Sequence, residues 1–283
     1  MKRVALIGKP LRRRHSVVMH NAAFEAAGID ARYELMELEP GDVDRAVAEA
    51  RGPGWLGLGV TAPYKRDVVS LVDAIDGDAL LIGAVNNVET DDGRLVGFNS
   101  DAPGFIAGVE RAMGRSLAGA DVVVAGAGGA ANAVVFACLR RGVSIVTVGN
   151  RTWHSAAALA DRYSGIFSAR IEAAELDDRK FEDAVAWADV AVNATTVGMI
   201  DRGKTIDVDR LPDTATVFDL VYVPVETELL RAARERGLKA ANGSEMLIAQ
   251  AEVAFERWTG IGGMADVMRT AVAPLLADPT LTA

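Results

Sequence analysis

Asp121-Val122-Val123-Val124-Ala125-Gly126-Ala127-Gly128-Gly129-Ala130-Ala131-Asn132-Ala133 is the stretch on which the fold of this chain turns. From Val122 to Leu139 there are 18 residues with one polar side chain, Asn132. Length alone sets that run against a membrane span, which takes about 20 apolar residues. Gly126, Gly128 and Gly129 break it, however, and Asp121 and Arg140-Arg141 bound it. It reads instead as strand Asp121–Ala125, a tight turn, and helix Gly129–Arg141. In that context Gly126-x-Gly128-x-x-Ala131 is a dinucleotide fingerprint. The first glycine permits the turn, the second admits a pyrophosphate to the backbone, and a small third residue lets helix and strand pack closely. Gly126, Ala127, Gly128, Gly129 and Ala130 are therefore the expected phosphate cradle, at a helix N-terminus whose N–H groups suit an anion.

Working outward, Ser144–Val148 is the next strand and completes a βαβ unit. In an NAD site a carboxylate about 20 residues past the glycines takes the ribose hydroxyls. Asn150-Arg151-Thr152 stands there instead. A carboxylate would repel a 2′-phosphate, whereas Arg151 suits one, with Asn150 and Thr152 adding hydrogen bonds. The triplet points to NADP, with NAD as the alternative.

Strand and helix alternate over the rest of the chain, the pattern of an α/β protein with parallel sheets. Val4–Gly8, Arg32–Leu38 and Trp55–Val60 read as strands. A helix is expected from Ser16, as N-cap, to about Gly28, and another over Asp42–Ala50. Asp91-Asp92-Gly93 places a hairpin within Asn87–Phe98. After a helix near Asp101–Met113 the second strand series begins, with Trp153–Tyr163 helical, Val190–Asn193 and Thr216–Leu220 extended, Thr227–Arg236 helical and Ser244–Trp258 a helix capped by Ser244. The expected organisation is an N-terminal α/β substrate domain, residues 1–101 with 242–283, and a Rossmann-type doubly wound NADP-binding domain, residues 102–241, with a ligand cleft between them.

Lys+Arg 30 against Asp+Glu 39 in 283 residues gives a net charge of −9, against nucleic acid as a partner. A single cysteine, Cys138, makes neither an internal disulfide nor a thiolate metal cage, and no metal site is expected. Met1-Lys2-Arg3 runs straight into a strand, so the expectation is a cytoplasmic protein without a membrane partner. Hydride exchange between an alcohol and a nicotinamide needs a group for the hydroxyl proton. Lys65, after a strand end, and Asp101, after the hairpin, are candidates. A structural salt bridge between two loops is the alternative.

Several segments together resemble the shikimate/quinate dehydrogenase family. They are Gly59-Val60-Thr61-Ala62-Pro63-Tyr64-Lys65, Gly83-Ala84-Val85-Asn86-Asn87, Gly97-Phe98-Asn99-Ser100-Asp101 and the glycine cluster with Asn150-Arg151-Thr152. Asn193-Ala194-Thr195-Thr196-Val197-Gly198-Met199, Asp219-Leu220-Val221-Tyr222 and Asn242-Gly243-Ser244-Glu245-Met246-Leu247, leading to Gln250, complete the set. The resemblance implies a catalytic Lys65–Asp101 pair, Lys65 carrying the proton and Asp101 orienting it. It implies substrate contacts from Thr61, Asn86 and Gln250, with Tyr222 closing the site, and cofactor contacts from Thr195, Met199, Gly243 and Met246. The activity implied is NADP-dependent interconversion of a ring hydroxyl and ketone on a cyclic polyol carboxylate, shikimate/3-dehydroshikimate first. Quinate or an aminoshikimate analogue, with NAD or both cofactors, is the alternative, and a non-catalytic NADP sensor on the same fold is the rival from another class. The partner is a small cyclic hydroxy acid, and the chain is expected as a monomer or homodimer.

The chain also departs from that pattern. Where the family commonly carries two serines for the substrate carboxylate, this sequence has Arg14 and Ser16, with Val17 at the usual proline. An arginine suits a carboxylate bidentately; a solvated Arg12–Arg14 loop is the other reading. Gly59 replaces an asparagine, Asn87 a threonine, and Ser155 a second arginine often paired with NADP.

Overall fold

The computed structural model describes residues 1–199 and 203–277; the end of the expected return segment, 278–283, lies outside them. The chain divides into two compact units, Met1–Asp101 with Ile248–Ala283, and Ala102–Leu247. The return thus falls at Ile248 rather than at 242, inside a helix instead of ahead of it.

The first unit contains β1 (Lys2–Gly8), α1 (His15–Ala26), β2 (Ala31–Glu37), α2 (Val43–Glu49), β3 (Trp55–Val60), β4 (Ala74–Ile75), α3 (Gly77–Ile82), β5 (Asn87–Asp91) and β6 (Arg94–Phe98). Its sheet runs β2-β1-β3-β5-β6-β4. The first sheet is mixed rather than parallel throughout: β1 pairs β2 and β3 in parallel and β4 pairs β6 in parallel, but β5 of the expected hairpin is antiparallel to both β3 and β6. A two-residue turn at Asp92-Gly93, both with positive φ, can only reverse the chain. Every residue of β3 is buried. Ala5, Ile7, Leu58, Val60, Val88 and Leu95 form one core cluster with Val43, Ala46 and Val47 of α2. Helix α1 does not begin at Ser16. It begins at His15, with Arg14 in the cap position and no side chain capping it.

The second unit begins inside α4 (Asp101–Met113), at Ala102. It contains β7 (Asp121–Ala125), α5 (Gly129–Arg141), β8 (Ile145–Asn150), α6 (Trp153–Tyr163), β9 (Arg170–Glu175), α7 (Arg179–Val185), β10 (Val190–Asn193), β11 (Thr216–Asp219), α8 (Glu228–Glu235) and β12 (Lys239–Asn242). Two helices end the described chain, α9 (Ser244–Thr259), which carries it back, and α10 (Ala265–Ala277). All pairs in the second sheet are parallel, in the order β12-β11-β10-β7-β8-β9. Numbered within the unit this is 3-2-1-4-5-6, the doubly wound order, whose direction reverses between β7 and β10. The membrane-length run is β7, the glycine turn and α5. No described helix is long and apolar enough to cross a membrane. Ser244 is not the cap of α9 but its first residue; Asn242 Oδ1 accepts both its backbone N–H and its hydroxyl.

Candidate active site

In the first unit, the ends of β3, β5 and β6 and the start of α4 supply one polar cluster. Lys65 Nζ lies 2.6 Å from Asp101 Oδ2, the lysine side chain 31% and the aspartate 16% exposed. Lys65 is anchored from behind, since its carbonyl accepts the N–H of Val85. Asp101 is held by its own backbone N–H to Asn99 Oδ1, at 3.0 Å, while Asn99 Nδ2 donates to Ala84 O. Its second carboxylate oxygen, Oδ1, accepts from Asn86 Nδ2 at 2.8 Å. The aspartate therefore divides its oxygens, one to an amide and one to the ammonium.

Asn86 is 5% exposed, and all four bonding positions of its amide are engaged. Nδ2 donates to Asp101 Oδ1 and Ser100 Oγ, while Oδ1 accepts the Ser100 N–H and an Asn87 Nδ2 hydrogen. Reversing the amide would set its carbonyl against a carboxylate and its NH2 against an N–H, so the network dictates its orientation. Ser100, fully buried, was missed as a functional residue: Oγ receives Asn86 and Asn87 and donates to Gln250 Oε1 at 3.2 Å. Its place beside Asp101 in the quoted motif was the available signal. The structure thus brings Lys65, Asp101, Asn86 and Gln250 together through Ser100. Thr61 is half-buried just past β3, its N–H on Ile7 O and its methyl group against Gly8.

Gly59 has a local reason to lack a side chain. A Cβ there would sit 2.4 Å from the Tyr33 hydroxyl oxygen, so the phenol of β2 fills the space. Tyr33 is buried and stacks on His20 at 4.5 Å between ring centroids. Arg14 is exposed at the head of α1 and Ser16 half-buried in its first turn; neither has an ion pair or hydrogen-bonded side chain among the described residues. That helix end carries no acidic residue in its first turn.

In the second unit Gly126 has φ +112°, and a Cβ there would lie 2.9 Å from Ala194 O. Its glycine is demanded by the protein. Gly128 and Gly129 differ: both are exposed, and a Cβ on either would meet nothing within 4 Å. Packing does not require glycine there, but an approaching phosphate would. The cradle opens at the N-terminus of α5, between β7 and β10, where the sheet order reverses. Ala127 is half-buried and Ala130 exposed beside it. Asn150 Nδ2 donates to Thr152 O at 3.1 Å, closing a turn from which Arg151 projects exposed, with no hydrogen bond or ion pair among the described residues. These residues fit a dinucleotide with an extra phosphate on its adenosine ribose.

The other expected cofactor residues have structural partners. Thr195 Oγ1 donates to Asn193 Oδ1 at 2.7 Å and accepts the Val197 N–H. Asn193 Nδ2 donates to Asp219 Oδ1, and Thr227 Oγ1 to Asp219 Oδ2, tying the ends of β10 and β11 together. Burial pushes the Asp219 carboxyl up, against the hydrogen bonds from Thr227, the Val221 N–H and Asn193. Gly243 is buried against the Leu220 carbonyl, 2.3 Å from where a Cβ would stand, and Met246 packs its backbone over Gly108. Met199 and Tyr222 are half-buried in the same unit. No group of three or more metal-ligating side chains occurs among the described residues.

A doubly wound parallel unit with a glycine turn at its switch point and an α/β unit carrying a Lys–Asp pair define the architecture of a two-domain dehydrogenase. The sequence matches the family profiles described as shikimate dehydrogenase substrate binding domain over residues 6–88, shikimate/quinate 5-dehydrogenase over 109–227 and shikimate 5′-dehydrogenase C-terminal domain over 243–273. The chain belongs to the shikimate dehydrogenase family. It is 39% identical to the shikimate dehydrogenase (NADP(+)) of Geobacillus kaustophilus, over 90% of this chain and 91% of that one. Among solved structures it is similar to the Thermus thermophilus shikimate 5-dehydrogenase in complex with NADP(H) and shikimate, with 36% identity, a TM-score of 0.83 and coverage of 96% and 100%. It is also similar to the quinate dehydrogenase of Corynebacterium glutamicum in complex with NAD, with 35% identity, a TM-score of 0.89 and coverage of 97% and 99%.

Proposed function

We propose that the chain interconverts shikimate and 3-dehydroshikimate with NADP, and the observation that carries this reading is the Lys65–Asp101 contact at 2.6 Å in a chain of this family. NADP, when bound, supplies the hydride acceptor. In oxidation the neutral Lys65 amine takes the hydroxyl proton and becomes the ammonium, and in reduction that ammonium gives the proton to the ketone oxygen. Asp101 Oδ2 holds the ammonium in place, and Asn86, with its amide fully engaged, positions Asp101 rather than presenting a free donor to the substrate. Thr61 and Gln250 bind ring hydroxyls, and Tyr222 packs over the bound acid. Arg14, Ser16 and the uncapped head of α1 hold the carboxylate, an arrangement that offers charge and a fork of donors where two hydroxyls are usual.

For the cofactor, Gly126 to Ala130 cradle the pyrophosphate and Arg151 takes the 2′-phosphate with Asn150 and Thr152. Thr195, Met199, Gly243 and Met246 line the nicotinamide end. Residues 1–101 with the C-terminal return act as the substrate domain and the intervening segment as the cofactor domain. The protein acts in the cytoplasm on a free small acid, as a monomer or homodimer and without nucleic acid. The test is a panel of shikimate, quinate and aminoshikimate, each with NADP and NAD, read at 340 nm. Shikimate with NADP should give the highest kcat/KM. Quinate with NAD leading the panel would replace this reading by that of a quinate enzyme. Tight NADP binding without turnover of any acid would mark a sensor.

A further inference from the structure

Asn87 is 4% exposed and makes two hydrogen bonds from a single nitrogen: Nδ2 reaches Asn86 Oδ1 at 2.8 Å and Ser100 Oγ at 2.8 Å. We propose that Asn87 is a positioning residue for the Lys65–Asp101 pair, its amide holding Asn86 and Ser100 in the one arrangement that delivers an N–H to Asp101 Oδ1. The inference rests on the reading of Lys65 and Asp101 as the proton-transfer pair.

The argument is one of hydrogen-bond capacity. A hydroxyl has one hydrogen and accepts two bonds. Ser100 Oγ receives from Asn86 and Asn87 and gives its hydrogen to Gln250 Oε1. Asn86 Oδ1 likewise accepts two bonds, one of them from Asn87. The cluster is saturated only because residue 87 supplies two hydrogens. A threonine has one, so it could serve Asn86 or Ser100 but not both. Without the second bond either the Asn86 carbonyl or the Ser100 hydroxyl loses a partner in a buried place, where an unmade bond costs most. The Asn86 amide could then rotate, and with it the N–H that sets which oxygen Asp101 turns toward Lys65. Asn87 sits at the head of β5, paired with Gly59 and Phe98, so the strand backbone holds it in register whatever its side chain.

The test compares Asn87→Ala and Asn87→Thr with the wild type. Asn87→Ala should lower kcat about 10-fold, with the Kd for NADP unchanged and KM for the acid moved less than about 3-fold. The solvent deuterium isotope effect on kcat should rise, because proton transfer becomes more rate-limiting. Asn87→Thr, with one donor, should recover part of the loss. The second readout needs no turnover: in ligand-free protein labelled with 15N, the side-chain NH2 signals of Asn86 should move and lose their hydrogen-exchange protection in Asn87→Ala. Wild-type kcat with an unmoved Asn86 signal overturns the proposal. So does an equal loss in both variants that tracks only a lowered Tm. If no acid is turned over even by the wild type, the functional reading fails by itself, and the Asn86 signal still decides the clamp.

Discussion

Two glycines, two positions apart, should answer opposite questions when each is replaced by alanine. At Gly126 the backbone has φ +112°, and the new methyl would stand 2.9 Å from Ala194 O and 3.1 Å from Thr195 Cγ2. The left-handed backbone costs an L-residue about 1–2 kcal/mol. Forcing apart a packed contact adds about 1–2 kcal/mol. The sum, about 2–4 kcal/mol, lowers Tm by roughly 4–8 °C in a chain of this size. At Gly128 φ is −82°, which alanine adopts freely, and the methyl meets nothing within 4 Å. Gly128→Ala should therefore leave Tm unchanged or raise it slightly, by the roughly 0.4–1 kcal/mol that a stiffer unfolded chain confers. The same methyl occupies the approach of the pyrophosphate. Loss of one charge-assisted N–H bond, about 1.5–3 kcal/mol, raises the NADP Kd roughly 10- to 100-fold. Thermal denaturation without ligand and calorimetric titration with NADP read the two effects separately. Wild-type NADP affinity in Gly128→Ala would refute the cradle, and a Tm drop matching that of Gly126→Ala would refute the open space.

Lys65→Ala should lower kcat by roughly 100-fold or more with NADP affinity nearly unchanged, because Nζ serves the proton and not the cofactor; unaltered turnover in a stopped-flow assay removes it from the mechanism. Arg151→Ala should weaken NADP by about 10-fold or more in titration and leave NAD nearly untouched; equal losses for both would place Arg151 against the adenine alone. Burial holds the His20 imidazole down to about 3 and, with the Arg13 charge, the His15 imidazole down to about 4, against 6.5 in the unfolded chain. Below pH 6.5 the unfolded chain thus takes protons that the folded chain refuses. Stability is full above that pH and falls as the pH drops through those values. Urea midpoints measured from pH 7 down to about pH 4 should show this slope, and His20→Phe, which keeps the stack on Tyr33, should flatten it.

The dinucleotide unit was the most legible part of this molecule, because its signals are local. An apolar strand, glycines at a turn and a helix behind them occupy consecutive residues, and each has a short-range steric reason. Even the cofactor preference rested on three adjacent side chains, Asn150-Arg151-Thr152. Less legible were β9 and β12. Arg170-Ile171-Glu172-Ala173-Ala174-Glu175 is an edge strand with charged residues, and Lys239-Ala240-Ala241-Asn242 carries alanines that a helix would accept equally. Only pairing with β8 and β11 makes them strands. The caps expected at Ser16 and Ser244 fall two residues and one residue late, for a similar reason. Serine favours a cap, but His15 is already helical and Asn242 Oδ1 accepts the bonds at the second site.

By itself the sequence determined the α/β class and the glycine turn with its meaning, and it marked Lys65 and Asp101 as candidates for proton transfer. Those follow from residue order, where neighbours along the chain are also neighbours in space. What only the tertiary structure decided is how each polar group is used. Asn86 is saturated by Ser100, Asn87 and Asp101, Gly59 is vacant because the Tyr33 phenol needs its room, and Gly128 is open where Gly126 is crowded. Hydrogen-bond capacity and steric room belong to atoms brought together from distant strands, and no spacing along the chain records them.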